Sequence, residues 1–435
     1  MDGGTDDVGL LLASTQQEIA DLRADPRFKK PAGGSRGAGL YEHVQDLLAA
    51  SEVRMKDPPE TGASDDAREA FARNLREAIV LLREANHSIP WLTATRSPNV
   101  NLGSLYMSEE FTELLVGRQA DLVFVPGPGF MYSTISWPFS EVINGTPGYS
   151  PKAKRRPIVV NYPQSDSDRL LLHPLFAHEI GHSAVAESNL LQKFAVEVLT
   201  VQPLSRRLDE EVKWVAANLQ PGQSELKIRQ QLREVLRCWV TEILCDLMAV
   251  EASGPAFLWA AASFGLPITR SGPSDTHPPT TLRIKLALDL LIENGWGDLL
   301  LEAGPHIKSF LDGVAADATN EIARPWEFLR TAIVDNTKWL RDAASNQIGS
   351  GVLGLQAADE AKEAADLLRQ LVLPVGASDQ PFSPRAILLS GWLEGLRRYG
   401  DDVAGMIKAQ ADRGLQDLVG KAIEMSTVAT SWADL

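Results

Sequence analysis

The stretch HPLFAHEIGHSAVAE, residues 173–187, decides how this chain is read. It holds His178, Glu179 and His182 in the spacing H-E-x-x-H. On an α-helix, residues four apart lie on one face about a turn from each other, so both imidazoles aim at a single point. Glu179 is rotated about 100° from His178, which sets its carboxylate beside that point, suited to take a proton from a bound water. Gly181 leaves room for another element to approach closely. The same letters also suit three polar residues on an ordinary helix. A catalytic zinc takes three protein donors and keeps one position open, so a third ligand elsewhere separates the two readings.

A candidate lies sixty residues further on, in CWVTEILCDLMAVEA (238–252). Glu242 and Asp246 are again four apart, among Trp239, Ile243, Leu244, Leu247 and Met248. Two carboxylates on one face of so apolar a helix are costly to bury unless they are paired or bound to a cation. Glu242 as third zinc ligand answers half of that cost. Asp246, one turn on, can accept a hydrogen bond from the far nitrogen of a ligating histidine and fix its tautomer. The competing reading is an acidic stripe on a half-buried helix. A third segment, SDTHPPTTLRIKLALDL (274–290), brings His277 and Arg283 to a loop that enters a helix, with prolines at its start. An imidazole and a guanidinium there can stabilise negative charge on a substrate oxygen; a helix-start histidine and a surface ion pair are the plain alternative.

The rest of the chain frames these segments. Its 435 residues allow two or three domains, and 44% apolar with 23% charged residues is the make-up of a globular protein. The net charge of −15 argues against general binding to nucleic acid or anionic membrane. The acidic first residues do not read as a signal peptide, and GPAFLWAAASFGLPI (254–268) is too short and interrupted to span a bilayer. With only Cys238 and Cys245, a disulfide framework is not expected, and a cytoplasmic location fits.

Helical periodicity runs through LLASTQQEIADLRA (11–24) and DDAREAFARNLREAIVLLREA (65–85), separated by the basic, glycine-rich PRFKKPAGGSRGAG (26–39). ADLVFVPGPG (120–129) and RRPIVVNYPQ (155–164) read as strands. Asp166, Ser167 or Asp168 is placed to cap the helix that follows, while Pro174 fits its first turn or a kink. Residues 189–253 read as helix broken at LQPGQS (219–224). From about 281 the chain is again mainly helical, with a break at LPVGASDQPFSP (373–384). The expected class is α+β, predominantly helical, with a small mainly antiparallel sheet. The expected division is a helical region 1–95, a catalytic domain 96–290 and a helical region 291–435.

Taken together, AHEIGH, TEILCD and THPPTTLRI resemble the gluzincin zinc metallopeptidases, most of all the HtpX and CAAX-prenyl-endopeptidase type, over roughly residues 155–290. The resemblance implies a zincin-like core. It also implies one zinc ion held by His178, His182 and Glu242, Glu179 as general base, and Asp246 as support to a ligand. His277 and Arg283 would then contact the substrate or the transition state. The relatives of this type usually have membrane spans or are exported, and this sequence shows neither. In that architecture an edge strand beside the active-site helix binds the substrate backbone, and RPIVVNYPQ (156–164), with its flanking prolines, is the strand expected to do so. Tyr162 is expected to pack. The cluster Lys152, Lys154, Arg155 and Arg156 is either a solvated loop or a guide for acidic peptides. His43, His87, His173 and His306 are read as structural.

The functional expectation is a zinc endopeptidase acting on a peptide or protein substrate. The alternative is a zinc-stabilised regulatory or binding module without turnover. Intact Glu179 favours the enzyme, since a purely structural site has no need of a base.

Overall fold

The computed structural model describes residues 3–30, 37–60, 62–94, 102–117, 120–127, 132–135, 143, 145–154, 156–166, 169–268, 273–304, 309, 311–313, 324–377, 380–400 and 402–433. Ser167, Asp168, Arg155, His306 and the Pro128-Gly129 end of the first strand candidate lie outside these residues. The chain is mostly helical with a small mixed sheet, an α+β arrangement. It forms two compact units, residues 1–99 with 118–164, and residues 100–117 with 165–435. The strands thus fall with the N-terminal helices, and the later helices fall with the H-E-x-x-H segment.

The first unit contains helices α1 (Gly3–Ala24), α2 (Ala38–Arg54) and α3 (Asp65–Ala94) and strands β1 (Ala120–Gly127), β2 (Ser133–Ile135) and β3 (Arg156–Pro163). Its apolar core joins Leu40, Leu47 and Leu48 of α2 and Leu75 and Leu81 of α3 to Val123 of β1 and Val159 of β3.

The sheet order is β1-β3-β2. The longer pairing, β1 with β3, is parallel and sets Leu122 opposite Ile158 and Phe124 opposite Val160. Only the short β2 runs antiparallel to β3. The sheet is therefore mixed rather than mainly antiparallel. β3 is its central strand, not the expected edge: β1 pairs along its length and β2 covers its other side at Val159–Asn161, so that stretch is closed to a substrate as an added strand. Ile158, Val159 and Val160 are all buried, the unbroken apolar run of a strand covered on both faces. Pro157 and Pro163 stand near the two ends of β3, where a missing N–H disturbs the ladder least. Tyr162 is buried and packs edge-on against Phe124, as expected of a packing residue.

Asp46 of α2 organises the loop before β3. Its carboxylate accepts the Tyr149 hydroxyl and the backbone N–H groups of Lys152 (2.9 Å) and Ala153 (2.8 Å). Lys152 is thereby pinned through its backbone, and the Lys154 N–H donates to Glu42 Oε2 at 3.3 Å, with both lysine side chains left exposed.

The second unit is helical apart from a two-stranded hairpin. Its elements are α4 (Leu102–Leu115), α5 (Pro174–Glu187), α6 (Leu190–Phe194) continuing into a π turn (Ala195–Leu199), α7 (Leu204–Asn218), α8 (Glu225–Ser253), α9 (Pro255–Ile268), α10 (Thr280–Glu293), α11 (Gly297–Ala303), α12 (Trp326–Val334), α13 (Thr337–Ile348) and α14 (Gln356–Arg369). The hairpin of β4 (Gly376–Ala377) and β5 (Gln380–Pro381) follows, then α15 (Pro384–Tyr399), α16 (Val403–Ala411) and α17 (Arg413–Ala433). The expected breaks at 219–224 and 373–384 fall between α7 and α8 and at the hairpin.

α8 is the axis of this unit. Ser224 caps it by accepting the Lys227 N–H, and from Glu242 to Ser253 every residue is buried. A helix apolar on all sides needs neighbours on all sides, and α5, α7, α9, α10 and α13 pack round it. Trp239, Trp259, Trp296 and Trp392 are the largest fully buried side chains. No helix among the described residues is long and apolar enough to cross a membrane.

Candidate metal centre

Helix α5 begins with Pro174 in its first turn, where a missing N–H costs nothing. No side chain caps it. A short 3-10 turn, Leu170–Leu172, separates it from Asp166, which instead lies 3.3 Å from Arg169. The expected capping role of Asp166 is thus corrected: the intervening turn carries the chain away from it. His173 occupies the cap position, buried, with its ring edge-on to Phe176, and burial lowers its pKa to about 3. His43 is also buried, whereas His87 is exposed on α3.

α5 lies against α8, and Gly181 sets how closely. A Cβ built on Gly181 would stand 3.2 Å from Cys245 Cα and 3.3 Å from its Cβ, tighter than ordinary packing. This approach brings the face of α5 that carries His178 and His182 to the face of α8 that carries Glu242 and Asp246. His178 and His182 are one turn apart with ring centroids 5.0 Å apart. Ligand atoms of His178, Glu179 and His182 all lie within 4.8 Å of one another.

Glu242 faces both imidazoles. Its Oε2 is 3.5 Å from His178 Nε2 and its Oε1 is 3.6 Å from His182 Nε2. These separations are too long for hydrogen bonds between such groups. They match the spacing of adjacent donors round a tetrahedral cation with bonds of about 2.0–2.1 Å, roughly 3.4 Å. Two imidazoles and a carboxylate are also the donor chemistry of zinc.

The charges agree with this fit. At formal charges, Glu179, Glu242 and Asp246 outnumber the one guanidinium of Arg283 here, an excess of negative charge that suits a cation. The donors present could hold a metal ion. Both Glu179 and Glu242 could supply the third donor: Glu179 shares a close group with both imidazoles, and Glu242 faces each of them with a separate oxygen.

The surroundings fix this cluster. His178 Nδ1 is 2.8 Å from Asp246 Oδ1. Burial works to lower the pKa of His178, but Asp246 and then Glu242 lift it to about 10. Burial and the neighbouring His178 lower His182 to about 4. Burial would raise both carboxylates, yet His178 holds Glu242, and chiefly Arg283 holds Asp246, below the usual carboxylate range. Phe257 of α9 lies parallel to the His178 ring with centroids 6.4 Å apart, an apolar wall on one side.

His277 reaches the same place from the loop before α10. Its Nε2 is 3.7 Å from Glu242 Oε1, and its side chain is half exposed. The loop is built to hold it. Ser274 Oγ accepts the His277 N–H at 2.9 Å, Thr276 Oγ1 lies 2.8 Å from His277 Nδ1, and Trp239 Nε1 donates to the Ser274 carbonyl at 2.8 Å.

Arg283, one turn into α10, donates through Nε and Nη2 to the two oxygens of Asp246 at 2.6 and 2.8 Å, and its Nη1 is 3.4 Å from Glu242 Oε2. All seven site residues expected from sequence, His178, Glu179, His182, Glu242, Asp246, His277 and Arg283, thus gather at one place. Sequence reasoning passed over Phe257, Ser274 and Thr276. The last two flank His277 and are legible as a hydroxyl-rich turn; Phe257 has no local signal.

Comparison of the chain with protein-family models, with curated proteins and with solved structures returns no match.

Proposed function

We propose that this chain is a zinc-dependent endopeptidase with a zincin-like core formed by α5 and α8. One observation carries the reading: the two oxygens of Glu242 stand 3.5 and 3.6 Å from the Nε2 atoms of His178 and His182, with Glu179 beside them. His178, His182 and Glu242 would hold the ion. When bound, zinc lowers the pKa of a coordinated water towards neutrality and polarises a carbonyl.

The protein does the rest. Glu179 accepts a proton from the attacking water and passes it to the leaving amine. Asp246 keeps a proton on His178 Nδ1, so that Nε2 presents its lone pair. His277, with Nδ1 held by Thr276, offers Nε2 to a substrate oxygen as it gains charge. Phe257 excludes water from one side of His178. A cytoplasmic setting accompanies this reading, with Cys238 and Cys245 as free thiols.

The test is zinc content by elemental analysis together with cleavage of a broad peptide panel. The full chain is expected to carry about one zinc and to cleave peptides. Glu179→Gln is expected to keep the zinc and lose about a thousandfold in rate. Protein that takes up no zinc, or a Glu179→Gln variant as active as the wild type, overturns the reading. Zinc retained without cleavage of any peptide favours a zinc-stabilised binding module.

A further inference from the structure

We infer that Arg283 is a positioning residue for the metal ligands rather than a substrate contact; the inference rests on the zinc reading above. The geometry is that of a fork. Nε and Nη2 engage both oxygens of Asp246 at 2.6 and 2.8 Å, the bidentate arrangement that fixes a carboxylate in plane. Asp246 Oδ1 in turn lies 2.8 Å from His178 Nδ1. The remaining arm, Nη1, is 3.4 Å from Glu242 Oε2, the oxygen that faces His178.

One guanidinium thus constrains two ligands, His178 through Asp246 and Glu242 directly. Arg283 arrives from α10 and both carboxylates from α8, so the fork also ties the helix bearing the His277 loop to the axis of the unit. All three of its nitrogens point at these carboxylates, and the Arg283 side chain is only 24% exposed. Asp246 without the fork is a buried carboxylate with the imidazole alone to hold it, free to rotate and to release the His178 tautomer. Lysine keeps the charge but not the planar fork, so it is not a conservative exchange here.

The experiment uses the full chain and measures zinc affinity by competition with a chromophoric chelator, and the visible absorption of the cobalt-loaded protein, for wild type, Arg283→Lys and Asp246→Asn. Arg283→Lys is expected to bind zinc about 10- to 100-fold more weakly, the usual cost of losing a partner of a ligand. Its cobalt bands are expected to shift even at saturating metal, with the helical circular dichroism unchanged. Asp246→Asn is expected to shift the same bands, and adding it to Arg283→Lys to cost little more, because the two act in series.

Zinc affinity within twofold of wild type and unmoved cobalt bands in Arg283→Lys, with KM raised, would make Arg283 a substrate contact and overturn the inference. Should Arg283→Lys not fold, Asp246→Asn decides: an unchanged affinity and spectrum there overturn it equally. Wild type that takes up no zinc removes both readings. Wild type that binds zinc yet cleaves nothing removes only the peptidase, and the affinity of Arg283→Lys still tests the fork.

Discussion

Asp46 of the first unit and Glu242 of the second are both buried carboxylates on helices, yet their surroundings differ in kind. Asp46 is finished by the protein: a tyrosine hydroxyl and two backbone N–H groups meet it at hydrogen-bond distance. Glu242 is met only at longer range. Two imidazole nitrogens stand 3.5 and 3.6 Å from its oxygens, His277 adds a third at 3.7 Å, and Arg283 Nη1 lies 3.4 Å away. A buried acid bonded at 2.8–3.0 Å fastens a loop; a buried acid facing nitrogens at 3.5 Å is spaced for something between them. Burial alone does not separate the two acids, and the length of their contacts does.

The sharpest way to break this contrast is to remove each acid. Asp46→Ala strands three donors and is expected to cost about 3–4 kcal/mol of stability, read in urea unfolding, with zinc binding unchanged. Glu242→Ala is expected to weaken zinc binding by more than about a hundredfold, the upper end for mere outer partners. It should lower the stability of chelator-treated protein by less than Asp46→Ala does, since its contacts in the metal-free site are longer than those of Asp46. Were Glu242→Ala to unfold the protein as Asp46→Ala does while zinc stays bound, the two acids would be of one kind and the metal reading would lose its main support.

A smaller effect is expected from Gly181→Ala. The added methyl meets Cys245 backbone and side chain at 3.2–3.4 Å, so α5 and α8 must part by a few tenths of an ångström. Overpacking of this sort costs about 1–3 kcal/mol, and here it also widens the gap between the imidazoles and Glu242. Both the melting temperature and the zinc affinity should fall. A variant equal to wild type in both would show that the close approach does not set the spacing of the site.

The site was far more legible than the sheet, for a physical reason. His178 with His182, and Glu242 with Asp246, each share a helix face at four-residue spacing, a property of the local backbone, and two carboxylates in an apolar helix announce an unusual environment. Whether β3 is central or at an edge depends on β1 and β2 pairing with it across long stretches of chain. Pro157 and Pro163 suggested an edge, whereas the unbroken Ile158-Val159-Val160 run pointed the other way. The partners of Arg283 were likewise hidden, because Asp246 is 37 residues distant and only the packing of α10 on α8 joins them. Cap chemistry misled at Asp166, since three leucines that form a separate turn were not recognisable as such.

The smallest effect concerns the histidines of the two units, which differ as their carboxylates do. His178 is offered two acids and is lifted, whereas His43 is lowered by burial to about 4, with Asp46 opposing only in part. Above its ordinary value near 6.5, His43 is neutral whether the chain is folded or not, and it makes no contribution to pH dependence. As the pH falls below 6.5 the unfolded chain takes up this proton first, so stability declines until about pH 4, where the folded protein takes it up as well. Between pH 7 and 5.5 the loss from this one group is about 1 kcal/mol. It is read as the difference in urea midpoints between wild type and His43→Gln across that range. The variant is expected to have the flatter profile; parallel profiles would mean that His43 meets water or a proton acceptor in the folded unit, and that burial there is less complete than at Asp46 beside it.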